Sequence, residues 1–176
     1  MADDLANRVR DALRAVPDFP QPGVLFRDIT PLLAASNLFP QVVAWLAAQC
    51  DGHGADRVAC IESRGFLFGA PLAERLGLPL ALIRKPGKLP HHTVRQDYAL
   101  EYGTDALEIH ADACSSGDRV MLIDDVLATG GTAAAACELI ERLGAAVAGV
   151  LFVVELSELD GRTRLRDRPL QSLARV

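Results

Sequence analysis

Four apolar runs of strand length, residues 57–62, 78–84, 119–124 and 147–155, are too continuous for a sheet with one face in water. They predict parallel strands buried on both faces. A helix-like segment closed by Gly77 lies between the first two, and another, closed by Gly144, lies between the last two. Strand, helix, strand, twice over, predicts an α/β fold: a doubly wound, mainly parallel sheet flanked by helices. The chain has 176 residues, the length of one domain, and shows no internal repeat, low-complexity tract or linker.

The N-terminal part is less regular. Leu5, Val9, Ala12, Leu13 and Val16 fall near helical spacing up to Pro17, predicting a short amphipathic helix over 3–16. Residues 17–31, PDFPQPGVLFRDITP, hold four prolines, each of which fixes φ and removes a donor, so an ordered loop without a regular element is expected. Its apolar Val24, Leu25 and Phe26 suit either a pocket wall or an anchor in the core. Residues 36–50 read as a helix ended by DGHG.

The formal charge of −5 gives no global reason for a polyanion to bind, so any phosphate chemistry must be local. Cys50, Cys60, Cys114 and Cys137 form no CxxC pair and have no histidine at ligand spacing, which argues for reduced, buried thiols rather than a zinc or redox site. The first twenty residues are charged throughout, and no apolar run reaches the ~18 residues of a membrane span, so the expected compartment is the cytoplasm.

In an α/β sheet ligands sit beyond the carboxyl ends of the strands. The sharpest signal there is VMLIDDVLATGGT, residues 120–132. A lone TGGT is most often a tight helix start and a lone DD a solvated loop; together, at the end of an apolar strand, they read differently. Thr129, Gly130, Gly131 and Thr132 would open a helix whose unpaired N–H groups suit a phosphate monoester. Asp124 and Asp125 would repel that phosphate, but carboxylates accept hydrogen bonds from a vicinal diol, so the inferred ligand is a ribose 5-phosphate unit. The chain has no GxxxxGK[ST] loop, and GHGADR precedes a strand instead of following one, which excludes kinase and dinucleotide readings.

The second signal is basic. Between Arg75 and Gln96 no acid occurs, while Arg75, Arg84, Lys85, Lys88 and Arg95 do, including both lysines of the chain. Arg84, Lys85 and Lys88 around Pro86-Gly87 suit a multiply charged group, and Arg64, with Ser63 and Gly65, would face the same crevice. In DYALEYG, residues 97–103, apolar and polar positions alternate as in a hairpin arm, and the segment before it is the candidate lid. On the residues alone Glu101 reads as a solvent-facing carboxylate. Arg162, Arg164, Arg166 and Arg168 read as a solvated face, and His91-His92 as lid surface.

VMLIDDVLATGGT resembles the phosphoribosyl pyrophosphate signature of the type I phosphoribosyltransferases. PDFPQPGVLFRDITP, ESRGFLFG, LIRKPGKLP and LEYG resemble, in the same order, motifs of the adenine phosphoribosyltransferase family, over roughly residues 17–160. The resemblance implies transfer of ribose 5-phosphate from phosphoribosyl pyrophosphate to adenine, giving AMP and pyrophosphate in purine salvage. It implies substrate-bound Mg2+ without a protein metal ligand, a homodimer, and neither nucleic-acid nor membrane partners. It further implies a single domain with a base-binding hood in residues 1–35 and a mobile lid loop in 85–104. Ala128, Thr129, Gly130, Gly131 and Thr132 would hold the 5′-phosphate, and Asp124 and Asp125 the ribose. Ser63, Arg64, Arg84, Lys85 and Lys88 would hold the pyrophosphate. Leu25 and Arg27 would meet adenine through their backbones, with Phe26 stacking on the ring and Leu156 closing the other side. Glu101 becomes the lid acid or base near N7, catalytic together with Asp124 and Asp125.

Two other functions stay in view. A transferase for hypoxanthine, guanine or xanthine would share the phosphate site but face a reversed base hydrogen-bond pattern. A phosphoribosyl pyrophosphate-sensing, nucleic-acid-binding regulator would need a basic face that the composition does not supply.

Overall fold

The computed structural model describes residues 2–99 and 104–176. Its centre is a seven-stranded sheet in the order β5-β6-β4-β3-β7-β8-β9, built from β3 (Arg57–Ile61), β4 (Leu80–Arg84), β5 (Thr93–Ala99), β6 (Thr104–His110), β7 (Arg119–Leu127), β8 (Ala146–Glu155) and β9 (Leu170–Arg175). β4, β3, β7, β8 and β9 pair in parallel, while β6 joins β4 and β5 joins β6 antiparallel. The doubly wound, mainly parallel sheet is therefore as expected, with an antiparallel ribbon at one edge.

Alternation along each strand divides the core into two layers. Val58, Cys60, Met121, Ile123, Leu151 and Val153 face α3 (Phe39–Cys50) and α4 (Gly65–Leu76). Ala59, Ile61, Val120, Leu122, Val150 and Phe152 face α5 (Gly131–Arg142). The central strands are thus apolar on both sides because both sides are covered.

The N-terminal region departs from expectation. α1 (Ala2–Ala12) stops short of the expected residue 16: β1 (Arg14–Pro17) takes up the end of the segment expected to be helix, and it pairs antiparallel with β2 (Leu25–Asp28), inside the segment expected to be loop. α2 (Thr30–Ala34) follows, with Pro31 in its first turn, where a missing N–H costs nothing. The prolines fall at the end of β1, in the connection and at this helix start, so they permit a small ribbon that their density alone argued against. Asp28 fastens its base, accepting from the Thr30 N–H at 2.9 Å and hydroxyl at 2.8 Å. β9 has no counterpart in the expected strands: only its Leu173 and Ala174 are buried, so its apolar run is short.

Candidate active site

β7 ends by delivering Asp124 and Asp125 to the rim of a cleft of about 240 Å³, lined also by Glu62, Ser63, Arg64, Lys85, residues 126–130, Thr132, Ala133 and Phe152. Gly130 is the N-cap of α5 at φ 80°, a left-handed conformation that glycine adopts freely. The chain turns there, so the first N–H groups of α5 face the cleft as a ready anion site.

The acidic pair is held under tension. Asp125 is 3% exposed and its Oδ2 lies 2.7 Å from Arg64 Nε. Burial raises both carboxyls above their ordinary value. The adjacent Asp125 charge pushes Asp124 further, while Arg64 draws Asp125 back. Arg64 therefore faces the cleft as expected, and is paired there with an aspartate. Its guanidinium also lies 5.5 Å from the Phe26 ring, and Phe26 meets Phe19 edge-on at 5.1 Å. One side chain thus joins the cleft to the β1–β2 ribbon.

The basic segment is likewise already paired. Arg84 donates to Glu62 at 2.8 Å and to the Lys88 carbonyl at 3.1 Å, which turns it away from the cleft lining; Lys88 is exposed. Lys85 remains in the lining, but its ammonium binds Asp105 and, at 3.0 Å, the Tyr98 hydroxyl. Burial opposes the Lys85 charge, and the bonds from Asp105 and Tyr98 outweigh it, raising its pKa. The Thr132 hydroxyl donates to the same Tyr98 oxygen at 3.3 Å. The edge ribbon, the basic segment and the α5 N-terminus therefore meet at Tyr98.

Ser63, Arg64, Lys85, Asp124, Asp125, Ala128, Thr129, Gly130 and Thr132 share the cleft; Gly131 is buried behind it. Leu25, Phe26, Arg27 and Leu156 lie outside the lining, with Phe26 reached through Arg64. Glu101 lies outside the described residues, as do Leu100 and Tyr102. The arginines beyond Asp160 are not uniformly a solvated face: Arg162 binds Glu155 at 2.6 Å and Arg168 binds Glu141 at 2.8 Å. The pairing of Glu62 with Arg84, the acid Asp105, and Gly161 against the loop were not anticipated. Asp160-Gly161, a turn dipeptide, was the available signal for the last.

The phosphoribosyl transferase domain family matches residues 33–168 of this chain. An adenine phosphoribosyltransferase of Roseiflexus sp. (strain RS-1) is 52% identical over 169 residues, covering 96% of this chain and 98% of that one. One from Kineococcus radiotolerans is 54% identical over 172 residues, 98% and 93% of the two chains. The chain belongs to the adenine phosphoribosyltransferase family. The crystal structure of the adenine phosphoribosyltransferase from Thermoanaerobacter pseudethanolicus superposes with a TM-score of 0.94 at 47% identity, covering 97% of this chain and 99% of that one. That of Saccharomyces cerevisiae, complexed with adenine and an imino-altritol bisphosphate, gives 0.91 at 38% identity, covering 97% and 99%.

Proposed function

We infer that this protein transfers the 5-phosphoribosyl group of phosphoribosyl pyrophosphate to adenine, releasing AMP and pyrophosphate. The observation that carries the reading is the end of β7, where Asp124-Asp125 and the Gly130 helix start open on one cleft. A phosphate and a ribose diol would be met there a few residues apart. The α5 N-terminus holds the 5′-phosphate with Ala128, Thr129, Gly130, Gly131 and Thr132, and Asp124 and Asp125 accept from the ribose hydroxyls. Arg64 exchanges its contact with Asp125 for the pyrophosphate. Ser63, Arg84, Lys85 and Lys88 complete that subsite, with Lys85 leaving Asp105 to do so.

The bond from C1 to pyrophosphate breaks as the bond from C1 to N9 forms; the leaving group takes the electron pair and N9 gives up its proton. Cationic side chains stabilise the charge growing on pyrophosphate. Glu101 is proposed to handle the purine proton. Adenine is proposed to stack on Phe26, with the Leu25 and Arg27 backbones and Leu156 around it; the yeast relative's complex contains adenine. In this reading residues 1–35 form the hood and 85–104 the lid.

Mg2+ is proposed to arrive on substrate oxygens. Among the described residues no three His, Cys, Asp or Glu side chains form a metal set. The carboxylates of Asp124 and Asp125 nevertheless fit an ion that takes one or two carboxylates together with phosphate oxygens and water. When bound, the ion neutralises charge on the leaving group. A homodimer is proposed from the family, to be checked by sedimentation velocity. No described helix is long and apolar enough to cross a membrane; a cytoplasmic location is proposed, to be checked by fractionation.

The deciding experiment supplies phosphoribosyl pyrophosphate and Mg2+ with adenine, hypoxanthine, guanine or xanthine and separates the nucleotides. AMP alone is expected, lost in the Asp124→Asn/Asp125→Asn double variant. A 6-oxo nucleotide would overturn the base pocket, and near-normal turnover of the double variant would overturn the acidic pair's role.

A further inference from the structure

We propose that Glu155 and Arg162 are positioning residues for the 5′-phosphate loop: they fix the turn carrying Gly161 against Ala128 and Gly130, and so set the loop's shape before substrate arrives. This role presupposes the phosphoribosyl reading of that loop.

Glu155 ends β8 and is only 5% exposed, a placement that a carboxylate tolerates only when paired. Its partners come from the chain that follows: Arg162 Nε at 2.6 Å, Arg175 Nε at 3.2 Å and the Ser172 hydroxyl. Arg162 also donates to Ser172 Oγ at 2.9 Å and to the Leu170 carbonyl at 3.4 Å. A single guanidinium therefore ties the 3-10 turn Gly161–Leu165 to the end of β8 and to β9.

The residue before Arg162 is the one that touches the loop. A Cβ on Gly161 would stand 2.1 Å from the Ala128 carbonyl oxygen and 3.0 Å from the Gly130 nitrogen. A Cβ on Gly130 would stand 2.3 Å from the Gly161 carbonyl oxygen. The backbones are flush, with no room for a side chain on either. No side chain caps α5 at Gly130, so the support comes from across this contact. Glu155, Arg162 and Ser172 do not line the cleft; they act on the phosphate through Gly161.

Arg162→Gln, Arg162→Lys and Ser172→Ala are compared with wild type by calorimetric binding of ribose 5-phosphate and of pyrophosphate, and by the KM for phosphoribosyl pyrophosphate. Arg162→Gln should weaken ribose 5-phosphate binding and raise that KM about tenfold, the loss expected for one charge-assisted hydrogen-bond network, and leave pyrophosphate binding unchanged. Arg162→Lys should recover only part of the loss because an ammonium lacks the planar fork, and Ser172→Ala should cost roughly threefold. Equal weakening of both ligands would mean a merely structural role, and unchanged ribose 5-phosphate binding would mean none; either overturns the proposal. If Arg162→Gln fails to fold, the other two variants decide by the same criterion. A wild-type enzyme that makes no AMP would refute the functional reading instead, and the ribose 5-phosphate comparison would still decide the positioning role.

Discussion

Asp124 sits where its charge is costly to the empty protein and, in the proposed reaction, needed by the ribose. Burial and the neighbouring Asp125 carboxylate raise its pKa, so the folded state holds its proton more tightly than the unfolded chain does. With more protons bound in the folded state, stability falls as pH rises from the ordinary carboxyl value of 3.8 towards the raised one, and stays lowered above it. Asp124→Asn should therefore raise the melting temperature of the ligand-free enzyme at pH 7 by about 2–4 °C for each kcal/mol of relief. That gain should shrink as pH falls towards 3.8, while turnover is lost at every pH. Melting curves across pH test this; a variant less stable than wild type at pH 7 would show that Asp124 is not strained. Glu155 behaves in the opposite sense. Burial alone would raise its carboxyl, but the bonds from Arg162 and Ser172 hold it below its ordinary 4.5. Its contribution is present above that value and is lost as pH falls through the lowered one. Glu155→Gln should consequently lose stability at pH 7 and approach wild type in acid, the reverse of Asp124→Asn in the same melting series.

At the scale of elements, the β5–β6 ribbon controls how much of the basic segment is free. Asp105 on β6 and Tyr98 on β5 both bind Lys85, so in the proposed reaction pyrophosphate has to displace an existing partner to reach the ammonium. Asp105→Asn should remove that competition and tighten pyrophosphate inhibition several-fold, by an amount in the usual range for a partly buried ion pair. Inhibition constants at two salt concentrations check it, and weaker inhibition would mean that Asp105 aims Lys85 instead of occupying it. This ribbon also marks where the sequence stopped being legible. The parallel strands and the helices behind them were readable because doubly covered strands must be apolar throughout and because Gly77 and Gly144 end their helices. The acidic pair and the α5 start were readable because strand end and helix start are adjacent in the chain. Glu62 with Arg84, Lys85 with Asp105 and Arg162 with Glu155 were not, since each joins residues 7 to 22 positions apart whose pairing depends on which strands lie side by side. The β1–β2 ribbon was obscured because proline density is a count, whereas strand pairing depends on where each proline falls.

For the whole molecule, the sheet is the wall between two apolar layers, and both the acidic pair and the loop proposed to hold phosphate are set on β7, the middle one of its five parallel strands. Leu122 and Ile123 are neighbours on β7, fully buried and facing opposite layers. Trp45, the single tryptophan, lies on α3 and packs against the core layer to which Ile123 belongs. If the two layers fold as one unit, Leu122→Ala, made on the α5 side, must lower the stability reported by Trp45 across the sheet as much as that reported by far-ultraviolet circular dichroism. The expected loss is about 2–5 kcal/mol, the range for a buried leucine truncated to alanine, and Ile123→Ala should cost a similar amount. Denaturant titrations followed by both signals should then show coincident transitions shifted to lower midpoints with little change in slope. A tryptophan transition that stays at the wild-type midpoint while the dichroism midpoint falls would mean that the α5 layer melts alone. In that case the loop at the start of α5 would be free to loosen without disturbing the α3 side, and ribose 5-phosphate would stabilise only the dichroism transition. Coincident transitions require the opposite: ligand bound at the α5 start must protect Trp45 as well, because no part of the sheet can open without the rest.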